Sequence, residues 1–276
     1  MKAKIWGCRG SLSTPGPSTV RYGGNTSCIE VRTPTGALIV LDAGTGIRNL
    51  GAALEPEQVR ELDLILTHLH LDHIEGLGFF APLFDPECVV RVWGPRPVDG
   101  SLHDLLSTYL SPPFFPVPFE RIPAQITFTE VSEDSWEIGG VRITSVPVKH
   151  PGSTIGYRLS QNGSSLAYIP DNEPALDRGS GLSVAGGADV LFHDAQFTDD
   201  EYSTRVGWGH SAVSDYVKYL AEAAPVRPLM FHHDPSHGDG QLEQMLARVR
   251  EQSGRDDVEL AHEGFEFDLA PERTVD

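Results

Sequence analysis

The chain has 276 residues, of which 39% are hydrophobic and 22% are charged, the balance of a globular protein with a sizeable core. Its net charge of −18 makes a polynucleotide partner less favourable, because phosphate backbones are attracted to basic surfaces. No apolar run approaches the roughly 20 residues of a membrane helix, so no membrane contact is expected. The scattered cysteines Cys8, Cys28 and Cys88 predict no disulfide framework, and we expect a cytoplasmic protein.

The N-terminal half is predicted to be rich in strands. Apolar runs predict strands over 4–6, 28–31, 37–41, 62–66 and 89–93. A short helix is expected over 56–61, since Pro56 is a favourable first helical residue. An imperfect, partly buried helix over 74–84 and a regular helix over 102–110 complete this half.

The C-terminal half begins with strands and then alternates strands with helices. Strands are predicted over 126–131, 136–138, 141–148, 155–159, 166–169, 190–192, 229–231 and 258–261, and helices over 211–223 and 241–251. Gly139-Gly140 indicates a hairpin between two of these strands. This pattern predicts an α/β protein in which helices pack on two sheets. Residues 1–276 are expected to form one domain, with 271–276 loosely attached.

One segment of the chain has an unusual composition. Residues 111–119 read S-P-P-F-F-P-V-P-F, which excludes a regular helix or an inner strand. Because an exposed aromatic patch usually covers something, we predict that residues 100–125, with Phe114 and Phe115, form an active-site lid, a base-stacking wall or a dimer contact. The remaining alternative is that the segment packs on its own domain.

Residues that can bind a metal are most concentrated in the sequence T-H-L-H-L-D-H, which directly follows the apolar run 62–66. Its residues that can bind a metal are His68, His70, Asp72 and His73. Neutral imidazole and carboxylate are ligands that Zn²⁺ and similar ions prefer. The spacing therefore predicts that one loop after a buried strand supplies ligands to two metal ions.

Three further candidate ligands also follow predicted strands. They are His150, Asp171 and His232. A single histidine at a strand end is more often a hydrogen-bonded loop residue, but these three share the position of His68 relative to its strand. His233 also follows the last of these strands, and we favour His232 because it comes directly after the apolar run.

This set of residues resembles the metal site of the metallo-β-lactamase fold superfamily, a large group of mostly dinuclear metallohydrolases. The resemblance implies a four-layer αββα sandwich of two mixed sheets flanked by helices. It also implies two divalent metal ions, with Zn²⁺ expected first and Mn²⁺ or Fe as alternatives. The implied ligands are His68, His70 and His150 for one metal, Asp72, His73 and His232 for the second, and Asp171 as a bridge. Asp42, in the turn Asp-Ala-Gly, is expected either to support a ligating histidine or to cap a surface turn.

A second resemblance concerns the stretch V-L-F-H-D-A at 190–195 and the later Gly209-His210-Ser211. It is similar to the phosphodiesterase branch of the superfamily, whose best-known member is the transfer-RNA 3′-processing endonuclease. The resemblance implies that His210 protonates the leaving oxygen, Asp194 orients His210, and Asp72 orients a metal-bridging hydroxide that attacks phosphorus. The alternative is that Ser211 caps a helix and His210 is merely exposed.

The expected substrate is a small phosphodiester, most of all a cyclic nucleotide. In the transfer-RNA-processing family a long arm lies between the equivalents of His150 and Asp171, whereas two short strands fill this interval here. The N-terminal stretches G-C-R-G-S and G-N-T-S also resemble bacterial hydrolases described as cyclic-nucleotide phosphodiesterase-like. Alternatives are a thioester or lactone hydrolase with the same metal site, an RNA 3′-end nuclease, and a non-enzymatic sensor. A homodimer is a further expectation.

Overall fold

Two seven-stranded sheets lie face to face in this computed structural model, which describes residues 1–55 and 59–269. The first sheet contains β1 (Lys2–Gly7), β2 (Cys28–Arg32), β3 (Leu38–Leu41), β4 (Glu61–Ile65), β5 (Val89–Pro95) and β6 (Gln125–Val131) in this order, and β14 (Glu266–Asp268) lies beside β1. The second contains β7 (Ser135–Ile138), β8 (Val141–Pro147), β9 (Ile155–Gln161), β10 (Ser164–Ile169), β11 (Val190–Asp194), β12 (Arg227–Phe231) and β13 (Glu259–Leu260), again in chain order.

Helices cover the outer faces of both sheets. These helices are α1 (Gly46–Ala53), α3 (Leu102–Tyr109), α4 (Leu182–Ala185), α6 (Val213–Ala223) and α7 (Asp239–Ser253), while the one-turn helices α2 (Leu71–Ile74) and α5 (Asp199–Tyr202) lie within loops. One apolar core lies between the sheets, a second lies under α1 and α3, and a third lies under α4, α6 and α7. The predicted four-layer αββα sandwich of two mixed sheets is therefore confirmed.

Parallel pairing brings the candidate site residues to one edge of each sheet. Strands β3 to β6 run parallel to one another, and so do β10 to β13. Their carboxyl ends therefore meet at the same edge, as they do at the ligand sites of other α/β sheets. Residues that follow β4, β10, β11 and β12 gather at this end of the molecule.

Several predicted helices differ from the observed ones. The predicted helix over 74–84 is wrong as a continuous element, because α2 ends at Ile74 and only the 3₁₀ turns Leu77–Phe79 and Ala81–Phe84 follow. The helix predicted over 56–61 falls partly on residues 56–58, outside the described ranges, and Glu61 already begins β4. Helix α1 was not predicted from the sequence.

The segment rich in proline and phenylalanine packs largely on its own domain. The ring of Phe115 lies 6.4 Å from that of Phe79 and 6.5 Å from that of Phe84. The ring of Phe119 lies 5.9 Å from that of Phe128. Phe114 is the exposed ring of the three, with 71% of its surface accessible. Packing on its own domain therefore describes two of these rings, while a role of the segment as a lid, a base-stacking wall or a dimer contact stays a prediction.

The remaining expectations from composition concern cysteines and membranes. Cys8, Cys28 and Cys88 are buried and form no disulfide. Within residues 1–55 and 59–269, no helix is both long and apolar enough to cross a bilayer. The prediction for residues 271–276 lies outside the described residues.

Candidate metal centre and active site

The seven predicted metal ligands lie together at the edge where the parallel strands end. Their ligand atoms form overlapping groups within 4.8 Å of one another: His68, His70 and His150; His68, His73 and Asp171; and Asp72, His73 and His232. All are buried except His70, which is exposed at the mouth of the site. The structure thus brings every residue of the predicted ligand set into one cluster.

Asp171 lies between two groups of histidines and presents one oxygen to each. Its Oδ2 atom lies 3.6 Å from His68 Nε2 and 3.4 Å from His150 Nε2. Its Oδ1 atom lies 3.1 Å from His73 Nε2 and 3.2 Å from His232 Nε2. A carboxylate with its oxygens divided in this way has the arrangement of a ligand that bridges two metal ions.

Unpartnered atoms at the centre of the cluster show that the residues fit metal ions. His68 Nε2 and Asp171 Oδ1 are buried and form no hydrogen bond within the described structure. Buried polar atoms almost always have a partner, and those without one need an explanation such as an ion. These atoms converge on the same small volume with lone pairs available, which is the donor chemistry of a divalent metal site.

Hydrogen bonds from outside the cluster set the tautomers of His73 and His68. His73 Nδ1 donates to Asp42 Oδ2 over 2.7 Å, which leaves its Nε2 lone pair facing inward. The Thr67 hydroxyl donates to the same carboxylate, so it can accept from His68 Nδ1 at 3.1 Å. Tyr168 also donates its hydroxyl to Asp42, over 2.9 Å. Asp42 is therefore buried and orients His73, a predicted ligand, which is the arrangement that the first of its two predicted roles requires.

The two histidines after β12 have different partners. His232 Nδ1 donates to Gln196 Oε1 over 2.8 Å, and its Nε2 lies 3.1 Å from Asp72 Oδ2. His233 turns away and donates from Nε2 to the Ala261 carbonyl over 2.9 Å. The backbone of His232 has φ of 57°, a left-handed conformation that costs a residue with a Cβ on the order of 1 kcal/mol and is common at functional sites. The geometry thus favours His232 as the ligand.

Electrostatics also favour cations at this position. Burial opposes the ionised form of Asp171, but neighbouring histidines outweigh it and hold the pKa of this carboxyl well below its usual range. Burial lowers the pKa of His68 well below its ordinary value, so its imidazole is neutral. Burial opposes the imidazolium of His73 too, yet Asp171, Asp72 and Asp42 raise its pKa well above the usual value. Divalent ions bound in the cluster would balance the charge of these buried carboxylates.

A histidine–aspartate pair borders the cluster. His210 Nδ1 donates to Asp194 Oδ2 over 2.7 Å, and the His210 ring lies 5.0 Å from that of His232 and 5.2 Å from that of His150. Burial disfavours the imidazolium, but Asp194 outweighs this effect and raises the pKa of His210 to about 9. Ser211 does not cap α6, because its hydroxyl donates to the Asn172 carbonyl and α6 begins at Val213. The helix-cap interpretation of this stretch is therefore wrong.

Asp194 is itself held by backbone groups. Its Oδ1 atom accepts from the amides of Gln196 at 2.9 Å and Ser211 at 3.2 Å, and its Oδ2 atom accepts from the Asn172 amide at 3.3 Å. Since these donors come from three separate loops, the carboxylate has one orientation. The imidazole of His210 is consequently fixed with its Nε2 atom available.

The sequence analysis did not identify Glu173, which holds the loop in front of His210. Its carboxylate accepts from the backbone amides of Gly207 and Gly209 and from the hydroxyl of Tyr202, each over 2.7 Å. Gly209 has φ of +95°, and a Cβ there would lie 2.1 Å from the His150 ring. The loop therefore lies directly against His150, one of the predicted ligands. The one signal in the sequence was an acidic residue two positions after the strand-end Asp171.

Other supporting residues were also missed. They are Ser11, whose amide donates to Asp72 Oδ2 over 2.7 Å, Thr154, whose hydroxyl lies 3.2 Å from His150 Nδ1, and Gln196, which fixes His232. Each is an uncharged polar residue in a loop whose sequence has no distinctive pattern. No periodicity or spacing identifies such residues before the fold is known.

Comparisons with known proteins show what this chain is similar to. The sequence profile of the family described as "Beta-lactamase superfamily domain" matches residues 38–233. Ribonuclease Z of Mycobacterium bovis (strain BCG / Pasteur 1173P2) is 27% identical over 290 aligned residues, covering 94% of this chain and 96% of that protein.

Solved structures share the fold over almost the whole chain. The metallo-beta-lactamase fold protein YhfI from Bacillus subtilis superposes with a TM-score of 0.72 at 18% identity, covering 97% of this chain and 99% of that one. A diphosphatase from the PhnP family gives a TM-score of 0.71 at 21% identity, with 98% and 99% covered. Zn²⁺-bound PqqB from Methylobacterium extorquens gives 0.69 at 19% identity, with 98% and 100% covered. Because the family profile spans well over half of the sequence, the chain belongs to the metallo-β-lactamase superfamily.

Proposed function

We propose that this metallohydrolase is a phosphodiesterase that acts on a small phosphodiester, with a cyclic nucleotide as the first candidate. The observation that carries the proposal is the Asp194–His210 pair beside the seven-residue ligand cluster. An alkoxide that leaves phosphorus needs a proton, and a positioned imidazole supplies about 10²–10⁴-fold in rate. Hydrolysis of a thioester or an activated lactone has less need of such a group.

The protein's residues would divide the work as follows. His68, His70 and His150 would hold one divalent ion, Asp72, His73 and His232 the other, and Asp171 both. When bound, the ions would activate water and neutralise phosphate charge. Zn²⁺ is the first candidate, supported by the Zn²⁺-bound structure of PqqB.

The proton that the leaving oxygen needs would come from His210. Its Nδ1 atom is committed to Asp194, so the Nε2 atom is the one that can deliver a proton. Burial opposes the imidazolium of His210, but Asp194 outweighs this effect and raises its pKa, which favours the form that carries this proton. The bond from phosphorus to the leaving oxygen breaks as this proton is transferred.

The size and charge of the molecule support a small substrate. The interval between His150 and Asp171 is occupied by the β9–β10 hairpin, whose turn is Asn162-Gly163, so no arm extends from this point. The net charge of −18 opposes a long polyanion. A substrate with a single phosphodiester is therefore favoured over a polynucleotide.

The proposal can be tested by varying the leaving group. Metal-loaded protein would be assayed with bis-p-nitrophenyl phosphate, 3′,5′-cyclic and 2′,3′-cyclic nucleotides and linear dinucleotides, beside a thioester and a lactone. Because nitrophenolate leaves without a proton, His210→Ala should lose about 10²-fold or more on alkoxide leaving groups and far less on nitrophenyl esters. Equal losses on both, or turnover of the thioester or lactone alone, would refute the proposal.

An RNA 3′-end nuclease is the second candidate, favoured by the similarity to ribonuclease Z over most of both chains. Incubation of the metal-loaded protein with a 3′-extended precursor transfer RNA distinguishes the two candidates. Under the first candidate, cleavage of this RNA is slower than cleavage of the small phosphodiesters at equal concentration. Faster cleavage of the RNA at a single position would replace the first candidate with the second.

A further inference from the structure

An apolar cavity of about 310 Å³ opens directly beside His68 and His70. Its walls come from the segment after β5 and from the turn before β9, and its apolar lining residues are Leu69, Pro95, Pro97, Val98, Leu105 and Pro151. Val98 and Leu105 are 82% and 41% exposed, although both are large and apolar. Large apolar side chains grouped in a concave surface next to an active site are typical of a ligand subsite.

The walls of this cavity are held in place by the fold. Helix α3 begins after Ser101, whose hydroxyl accepts from the Asp104 amide, and the Leu102 amide donates to Glu130 over 2.9 Å. Leu102 and Leu106 are buried against the sheet, so Leu105, on another face of the same helix, is left toward the cavity. The cavity is therefore formed before any ligand binds.

The charge of the lining excludes anionic groups. Among the described residues that line the cavity, Asp99 is the one ionised side chain, and neither lysine nor arginine is present. Arg96, in the same segment, lies 3.8 Å from Glu130 and is not among the lining residues. A second phosphate placed here would meet apolar walls and a carboxylate, so the cavity suits an uncharged group.

The position of the cavity relative to His210 shows which part of a substrate it would receive. The His150 ring lies 4.9 Å from that of His70 and 5.2 Å from that of His210, so His150 separates the cavity from the proton donor. The leaving oxygen takes its proton from His210 and departs on that side. The ester group that stays on phosphorus would then lie on the other side, beside His70.

We propose that this cavity is the subsite for the retained ester group, and that it takes an uncharged apolar or aromatic group such as a nucleobase or an aryl ring. The inference rests on the proposed function, because the position of His210 identifies the side on which the leaving oxygen departs. Water supplies the new oxygen on phosphorus, the bond to the leaving oxygen breaks, and the retained ester bond is untouched. The cavity selects the substrate and does not take part in the bond changes.

Binding of phosphonates tests the subsite without turnover. The dissociation constants of methylphosphonate, phenylphosphonate and 4-carboxyphenylphosphonate would be measured by titration calorimetry on the Zn²⁺-loaded protein. We expect phenylphosphonate to bind about tenfold more tightly than methylphosphonate, because the ring is removed from water. The carboxylate of the third compound should abolish this gain.

Variants of the cavity wall show whether the gain in affinity comes from this cavity or from another apolar surface. Val98→Asp and Leu105→Asp should remove the gain in affinity of phenylphosphonate over methylphosphonate. Val98→Lys should favour the carboxyphenyl compound. Val226→Asp is the matched control, because Val226 is 66% exposed and lies at the amino end of β12, away from the site. Equal affinities of phenyl and methyl compounds, or equal effects of Val98→Asp and Val226→Asp, would overturn the proposal.

Hydrolysis of two esters with one leaving group tests the retained-group assignment. 4-Nitrophenyl phenyl phosphate should be cleaved with a kcat/KM about tenfold above that of 4-nitrophenyl methyl phosphate, and Val98→Asp should equalise them. If neither ester is cleaved while phenylphosphonate still binds more tightly, the proposed function fails and the apolar cavity stands. If both are cleaved equally and both phosphonates bind equally, the cavity proposal fails and the proposed function stands.

Discussion

Glu173 offers the most incisive test of how the site is assembled. Its buried carboxylate accepts three hydrogen bonds of 2.7 Å, from the amides of Gly207 and Gly209 and from the hydroxyl of Tyr202. Hydrogen bonds to an ionised acceptor contribute about 1.5–3 kcal/mol each, and water entering the space left by the side chain recovers part of this. We expect Glu173→Ala to lower the free energy of unfolding by about 2–4 kcal/mol.

The catalytic consequence should be confined to reactions that need a proton donor. Because the loop that Glu173 holds ends at His210, its release should misplace the imidazole and lower kcat by about 10²-fold for alkoxide leaving groups. Nitrophenyl esters should lose less than a few fold. The assay is kcat and KM for a series of aryl and alkyl phosphodiesters of increasing leaving-group basicity, with the metal content measured in parallel.

Matched variants make this reasoning refutable. Tyr202→Phe removes one of the three donors and should change kcat by a small factor only. In a double-mutant cycle, Glu173→Ala should add little to His210→Ala, because both changes remove the same proton transfer. If Glu173→Ala slows the His210→Ala enzyme by its full factor, or slows nitrophenyl and alkyl esters equally, the carboxylate does not act through His210.

Three further predictions follow from the same geometry. Asp42→Asn should weaken metal binding by about 10–100-fold, because the His73 Nδ1 atom loses its carboxylate acceptor at 2.7 Å. The affinity would be measured by competition with a chromogenic chelator, and an unchanged affinity would contradict the role of Asp42. Gly209→Ala should fold but lose most activity, because the added Cβ would lie 2.1 Å from the His150 ring and the backbone φ is +95°. Gly36→Ala is the control and should keep activity, because Gly36 also has a positive φ but open space around it. Burial lowers the pKa of His193 to about 4, so its folded form stays neutral while the unfolded chain takes up a proton below pH 6.5. The free energy of unfolding should therefore fall as the pH falls from 6.5 to 4, by about 1.4 kcal/mol per pH unit from this group. Denaturant unfolding of the metal-free protein should show a shallower pH dependence for His193→Asn than for the unchanged chain, and identical pH dependences would contradict this prediction.

The neutral state of His193 also has a structural explanation. Its Nδ1 atom donates to the Asp194 carbonyl over 2.8 Å, and its Nε2 atom accepts from the Asn172 side-chain amide over 3.1 Å. A neutral imidazole has one donor and one acceptor, which matches these two partners. Protonation would place a second N–H against the donor of Asn172, so the hydrogen bonds and burial act in the same direction.

Much of the fold follows from short-range patterns. Apolar runs of four to eight residues predicted the strands because a strand buried on both faces has few polar positions. The helix over 74–84 was wrong because Gly76, Gly78 and Pro82 divide the segment into short turns that tertiary packing holds. Helix α1 was missed because Gly46 and Gly51 lie within its eight residues, and glycine has a low helix propensity and usually indicates a turn.

The sequence by itself determined the chemistry of the metal centre. His68, His70, Asp72 and His73 lie within six positions, and a cluster of that density has few explanations other than metal binding. His150, Asp171 and His232 each follow an apolar strand, and parallel strands carry such residues to one edge of a sheet. Local sequence was sufficient for this prediction because short segments contain both the ligand residue types and the strands that they follow.

Only the tertiary structure decided how these residues work together. The division of the Asp171 oxygens between two histidine groups, the position of His232 rather than His233 at the cluster, and the hydrogen bonds of Glu173 to the loop before His210 depend on contacts between segments far apart in the chain. The apolar cavity beside His70 likewise joins the segment after β5 to the turn before β9. Such contacts depend on the relative placement of two sheets, which no local spacing in the sequence specifies.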